Sequence, residues 1–192
     1  MAEEHRVRID DPEALAALTH PMRTKLLNHL ISAGPTTASQ AARAVGDTPS
    51  NSSYHLRTLA KFGWVEAAER DSADGRERPW RALVTGFEID LAADPQGAAG
   101  HNAAALAALT LQQAHQETRE ALARFPTLER AWQDASSFGA YTLRVTPEEL
   151  TELTRQIDAL LRPFIAATRD ERPAGAALAS VGFHAFPKGP QS

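Results

Sequence analysis

Between Thr48 and Lys61 the chain carries Ser50, Asn51, Ser53, Tyr54, Arg57 and Lys61, and no acidic side chain. Hydroxyls and an amide can exchange hydrogen bonds with base edges, while the cations further along can hold phosphates. Thr48-Pro49 reads as a helix start, a hydroxyl cap followed by proline at the first helical position. Leu56, Leu59 and Phe62 recur at intervals of three and mark a buried stripe. One apolar stripe opposite one acid-free polar face is what a helix needs to sit in a major groove.

Such a helix must be held by others. Thr37 and Gln40 fit a capping box that opens a first short helix, with Ala38, Ala41, Ala42 and Val45 as its small apolar face. Gly46 can take the left-handed conformation that ends it. Residues 36–62 are therefore expected to form two short helices joined by a tight turn, and Thr37 is placed with the DNA-facing set. Upstream, Asp11-Pro12 opens a helix with Leu15 and Leu18 facing inward. A second begins at Met22, after His20-Pro21, and carries Leu26, Leu27, Leu30 and Ile31 until Gly34-Pro35. This pair is scaffold, and His29 within it reads as a surface or satisfied core histidine. Downstream, residues 64–70 are a strand, 71–75 a turn with Asp74-Gly75 as a hairpin signal, and 76–84 the partner strand, with Trp80 and Leu83 packing. A hairpin directly after a recognition helix is a wing. Arg76 and Arg78 then reach the DNA backbone or an adjacent minor groove, or pair as solvated side chains with Asp71, Asp74 and Glu77.

The run SNSSYHLRTLAKFGWV resembles the recognition helix of ArsR-type winged helix-turn-helix regulators, S-x-V-S-x-H-L-x-x-L followed by glycine and an apolar strand. Ser50, Ser53, His55, Leu56, Leu59 and Gly63 match. The resemblance extends to LTHPMRTKLLNHL before it and GRERPWRAL after it, and so covers the first half of the chain. It implies a winged-helix fold and operator binding. His55 then either contacts phosphate or packs, and it is counted with the DNA-binding residues. Ser52 departs from the family's valine. Either the helix packs less firmly there, or the hydroxyl bonds back to the preceding turn.

Residues 85–100 have linker composition, and residues 101–125 read as one long helix. Ala104, Ala107, Leu111, Ala114, Thr118, Ala121 and Phe125 form a narrow heptad seam on it, suited to the same helix of a second copy or to packing inside its own domain. A short turn with Trp132 follows, then a strand over 140–145. Next comes a helix from Thr146-Pro147 with Leu150, Leu153, Ile157, Leu160, Leu161 and Phe164 on one face, loosened by Pro163. A last strand over 177–186 is able to pair with 140–145. Trp132, Phe138, Tyr141, Phe164, Phe183 and Phe186 either form a core or line a cavity for a small organic effector.

Charge sharpens this division. Residues 1–85 hold 11 Lys/Arg and 11 Asp/Glu, whereas residues 86–192 hold 9 and 13, which accounts for the net −4. A neutral domain can still present a basic face, and phosphates feel local charge. The absence of cysteine excludes disulfides and thiolate metal sites. His101, His115 and Glu117 share the long helix without forming a dense ligand cluster, so no metal is assigned. No motif for a nucleophilic serine, a P-loop, a dinucleotide fold or a zinc protease occurs, so no catalytic residue and no cofactor is assigned. No apolar run approaches the ~18 residues of a membrane span, and the start MAEEHRVRID lacks the apolar stretch of a secretory signal.

The expected fold is mainly α with small β (α+β). Residues 1–90 form a winged helix-turn-helix, and residues 91–192 a helical region for dimerisation and sensing with a short β pair. The expected function is that of a cytoplasmic transcription regulator, binding double-stranded DNA as a homodimer. Its alternatives are a winged-helix protein-interaction module and a ligand-binding protein without DNA binding.

Overall fold

In the computed structural model, residues 6–9, 11–68, 77–89, 96–166, 168–169 and 173–189 are described. They fall into two compact units, Met1–Leu111 with Ile165–Leu178, and Gln112–Phe164 with Ala179–Ser192.

The first unit begins with strand β1 (Arg6–Ile9) and helices α1 (Pro12–Leu18) and α2 (Pro21–Ala33). Asp11 caps α1 by accepting from the Glu13 and Ala14 amides at 3.1 and 3.2 Å. The break at His20-Pro21 is satisfied from several sides. The His20 ring caps α2 by accepting from the Met22 amide at 3.2 Å, and buried Thr24 donates to the Leu18 carbonyl at 2.6 Å. Arg23 donates to the carbonyls of Ala16 and Ala17, covering the frayed end of α1.

Strand β2 (Thr36–Thr37) then leads into α3 (Ala38–Val45) and α4 (Pro49–Lys61). The expected capping box is present: Thr37 Oγ1 accepts from the Gln40 amide at 3.2 Å, and Gln40 Oε1 accepts from the Thr37 amide at 3.0 Å. Gly46 ends α3 at φ 73° and ψ 43°, a conformation that a Cβ disfavours. Strands β3 (Val65–Ala67) and β4 (Pro79–Ala82) make the wing, antiparallel with Val65 opposite Ala82 and Ala67 opposite Trp80. β4 lies at the centre of this sheet, because β2 pairs with its other edge, Thr36 opposite Trp80. The expected wing turn, residues 71–75, lies outside the described residues.

Leu15, Leu18, Leu26, Leu27, Leu30, Leu56, Leu59, Trp64 and Val65 form one buried cluster, and Ile31, Phe62 and Trp80 pack against it. Leu83, expected to pack, is exposed; β4 ends at Ala82 and the chain turns, so Val84 is buried instead. Two further differences concern residues 85–100. Strand β5 (Gly86–Ile89) runs parallel to β1, Arg6 opposite Gly86, within the stretch read as linker. Helix α5 (Ala98–Arg124) starts earlier than expected, and its first turns place Ala99, Ala103 and Leu106 in the same buried cluster. A linker composition does not prevent a short non-local pairing whose partner lies some eighty residues upstream.

The second unit holds the end of α5, a 3-10 turn (Phe125–Thr127), α6 (Arg130–Ala135), α7 (Pro147–Leu161) and a second 3-10 turn (Arg162–Phe164). Thr146 and Glu149 close a capping box on α7; at Pro163, where loosening was expected, the chain instead tightens into the 3-10 turn, whose i→i+3 bonds do not need the amide that proline lacks. The expected β pair is not formed: residues 140–145 and 177–186 belong to no strand. Their apolar side chains remain outside, Tyr141 being 87% exposed, so no buried face rewards a ladder. A side-chain hydrogen bond from Lys188, two residues beyond the second stretch, reaches Thr142 in the first at 3.3 Å.

Candidate nucleic-acid interface

The amphipathic division of α4 is sharp. Ser52, His55, Leu56 and Leu59 are buried, whereas Ser50, Asn51, Tyr54, Arg57 and Lys61 are exposed and Ser53 is half-buried. Ser50, Tyr54, Arg57 and Lys61 follow one another at steps of four, three and four, which puts them on one stripe of the helix. Hydroxyl and phenol lie toward the N-terminus and the cations toward the C-terminus. Tyr54 is 59% exposed, its ring edge-on to His55 at 5.4 Å between centroids. Lys61 is exposed, with its Nζ 5.6 Å from the Phe62 ring centre.

His55, expected among the DNA-contacting residues, is not on this face. It is 5% exposed, and its ring meets His20 at 4.5 Å between centroids. Its Nδ1 is buried and finds no hydrogen-bond partner among the described residues. Burial, reinforced by the neighbouring His20 and Arg23 and opposed by Asp47, lowers its proton affinity below that of an ordinary histidine. Of its two readings, packing is the one the structure supports. A side chain so enclosed cannot reach a phosphate without leaving the core.

Ser52 resolves the other open alternative. It is fully buried and donates to Asp47 Oδ2 at 2.9 Å, which is the bond back to the preceding turn. Asp47 also accepts from Asn51 Nδ2, at 3.0 and 3.1 Å to its two oxygens. These bonds, Asn51 first, together with the Thr48 amide and Ser52, hold the Asp47 carboxyl below the usual carboxylate range despite some desolvation. This acid stands one residue before the Thr48 cap, outside the acid-free run from Thr48 to Lys61, and no helical periodicity signals it.

Thr37 is only partly exposed, and its hydroxyl is engaged in the capping box. Beside it the Glu77 carboxylate accepts from the Ser39 hydroxyl at 2.7 Å and the Ser39 amide at 3.3 Å. This link from the wing to the start of α3 was also absent from the sequence reading, because its partners lie 38 residues apart. Arg78 is exposed, and Arg76 lies outside the described residues. Arg81 forms an ion pair across the wing with Glu66.

Residues 18–65 match the family model of a helix-turn-helix domain. The chain carries a helix-turn-helix domain. The match runs from the last residue of α1 to the first of β3 and so takes in α2, α3 and α4. It supports DNA binding and transcription regulation as the general activity. No curated protein matches the chain.

Away from the helix-turn-helix, His101 and His115 are exposed on α5, with the His101 ring 2.7 Å from the Gly97 carbonyl. Glu117 accepts from Ser180 at 3.3 Å. Trp132, Phe138, Tyr141, Phe164, Phe183 and Phe186 are all exposed. They therefore form neither of the arrangements expected of them, a core or the lining of an enclosed effector cavity. No helix among the described residues is long and apolar enough to cross a membrane.

Proposed function

We propose that the chain is a cytoplasmic, sequence-specific transcription regulator of the ArsR type that binds an operator inverted repeat as a homodimer. In this reading residues 1–90 bind DNA and residues 91–192 join the subunits. The observation that carries it is the exposed stripe of α4, where Ser50, Tyr54, Arg57 and Lys61 share one side of a helix without an acid between Thr48 and Lys61. The stripe follows the order a groove reader needs, base-edge donors and acceptors first and phosphate cations after. Exposed Arg78 extends the cationic surface into the wing.

The second half supports the homodimer through what it leaves uncovered. No residue of the α5 seam is buried: Ala104, Leu111, Thr118 and Ala121 are exposed, and Ala107, Ala114 and Phe125 are partly so. Small residues permit close approach of a second helix. Two copies would read two half-sites about one helical turn apart. The exposed aromatics are assigned to subunit contact in this reading, and no effector is required by it.

A titration of fluorescent duplexes drawn from the host genome, repeated at several salt concentrations, tests the reading. Affinity should fall steeply as salt rises, and selected fragments should contain an inverted repeat. Binding that is absent, or indifferent to salt, would instead favour a protein-interaction module.

A further inference from the structure

The head of α4 contains a constrained amide. Asn51 is exposed in the first turn of the helix, and its Nδ2 is held by both oxygens of Asp47 at 3.0 and 3.1 Å. An ionised carboxylate can only accept hydrogen bonds, so the nitrogen of the amide must face Asp47 and the oxygen must face away. Asp47 is itself anchored from below by Ser52, which is buried and has no freedom to follow another partner. The low proton affinity of the Asp47 carboxyl keeps it ionised across the neutral range.

One N–H of Asn51 is thus committed. The second N–H and Oδ1 remain, a donor beside an acceptor. In the major groove adenine presents the matching pair, the N7 acceptor beside the N6 amino donor. Guanine offers two acceptors there, which Oδ1 cannot use. Cytosine offers a donor and thymine an acceptor, so each satisfies only half of the amide. The first turn of a recognition helix is where side chains meet base edges.

We propose that Asp47 is a positioning residue that fixes Asn51 as a reader of adenine, using Ser52 as its anchor. The inference rests on the DNA-binding reading above. Asp47 holds the amide in the one rotation that offers the adenine pair outward. It does so at a cost in general affinity, because a carboxylate at the head of the helix repels phosphate. Specificity and affinity are therefore set against each other at this residue.

The full-length protein would be used to select duplexes from a random pool. Wild type should enrich an adenine at one position of each bound motif. Replacing that adenine by 7-deazaadenine, which lacks only the N7 acceptor, should weaken binding about tenfold. Asn51→Ala should bind both duplexes equally. Asp47→Asn removes the charge with little change of shape. It should reduce the discrimination between adenine and other bases about tenfold while binding to unrelated DNA stays equal or strengthens. A merely structural Asp47 would instead weaken binding to every duplex in parallel, and that result overturns the proposal. So does an adenine preference that survives Asn51→Ala, or wild-type binding that shows no adenine preference. Failure of wild type to bind any duplex would remove the DNA-binding reading itself, a distinguishable result. Circular dichroism on each variant confirms that the helices persist, and the deaza probe leaves the protein unaltered.

Discussion

The two units spend their apolar residues differently. In the first, leucines of α1, α2 and α4 meet Trp64, Val65 and the opening turns of α5 in one continuous cluster. In the second, neither α6 nor α7 has a buried residue, and Leu160, Phe164, Phe183 and Phe186 face solvent. α7 is nonetheless a well-made helix, with a proline start, a reciprocal cap and acids in its first turn. Local chemistry suffices to specify a helix, but only a partner surface can bury its face. The first unit contains its own partner surfaces; the second leaves its apolar side chains exposed, and in the homodimer proposed above a second copy would cover them.

Truncating a core leucine should expose the contrast most strongly. Leu59→Ala should lower the stability of the protein by about 2–5 kcal/mol in urea unfolding, whatever the protein concentration. Leu160→Ala on α7 should change little in dilute solution, because that side chain is 72% exposed, yet should shift the unfolding midpoint where subunits associate. Equal effects from both substitutions at low concentration would mean that α7 is covered within one chain.

Next in size is Ala114→Glu in the α5 seam. It should produce monomers of unchanged helical content, seen by light scattering, with operator affinity reduced roughly a hundredfold by loss of the linked half-site. A variant that stays dimeric would move the interface away from this seam. Smaller, and confined to the first unit, is the Arg57→Ala/Lys61→Ala double variant. Its affinity should fall for all sequences alike, and the slope of log affinity against log salt should shrink by about two units. An unchanged slope in a folded double variant would place the phosphate contacts elsewhere.

The smallest effect concerns protons. His55 is made less basic by burial, then by His20 and Arg23, and His29 by burial. Each takes up a proton more readily in the unfolded chain than in the folded one. Stability should therefore be complete above the ordinary histidine pKa of about 6.5 and decline as the pH falls below it toward the folded-state value. His55→Gln and His29→Gln should each flatten the decline, and together flatten it further, in unfolding curves taken between neutral and mildly acidic pH.

Much of the first unit was legible because its signals are local. Caps at Asp11, Thr37 and Thr48, prolines at helix starts and the leucine stripes each act within a turn or two of chain. The exposed face of α4 followed from the same periodicity. What escaped was non-local: the β1–β5 pairing, β2 on the far edge of β4, and Glu77 on Ser39. Asp47 escaped for a different reason. It precedes the helix it serves, so the periodicity that marks the faces of α4 does not reach it. In the second unit the alternation at 140–145 predicted a strand. Alternation states only that one face would gain from burial, and here no ladder supplies it.

Thr37 belongs to two structures at once, being the last residue of β2 and the cap of α3. Its Cα stands opposite Pro79 in the sheet while its hydroxyl and amide close the capping box. Thr37 thereby couples wing and helix-turn-helix, beside the Thr36–Trp80 pairing and the Glu77–Ser39 bonds. Length variation confined to residues 69–76 alters neither the Thr37–Pro79 pairing nor the Glu77–Ser39 bonds, so homologous chains should tolerate it better there. One residue gained or lost between Gly34 and Ala38 would turn every later side chain of β2 to the opposite face and displace the start of α3 with it. Insertions and deletions should therefore accumulate in the wing and be purged from the two threonines before α3.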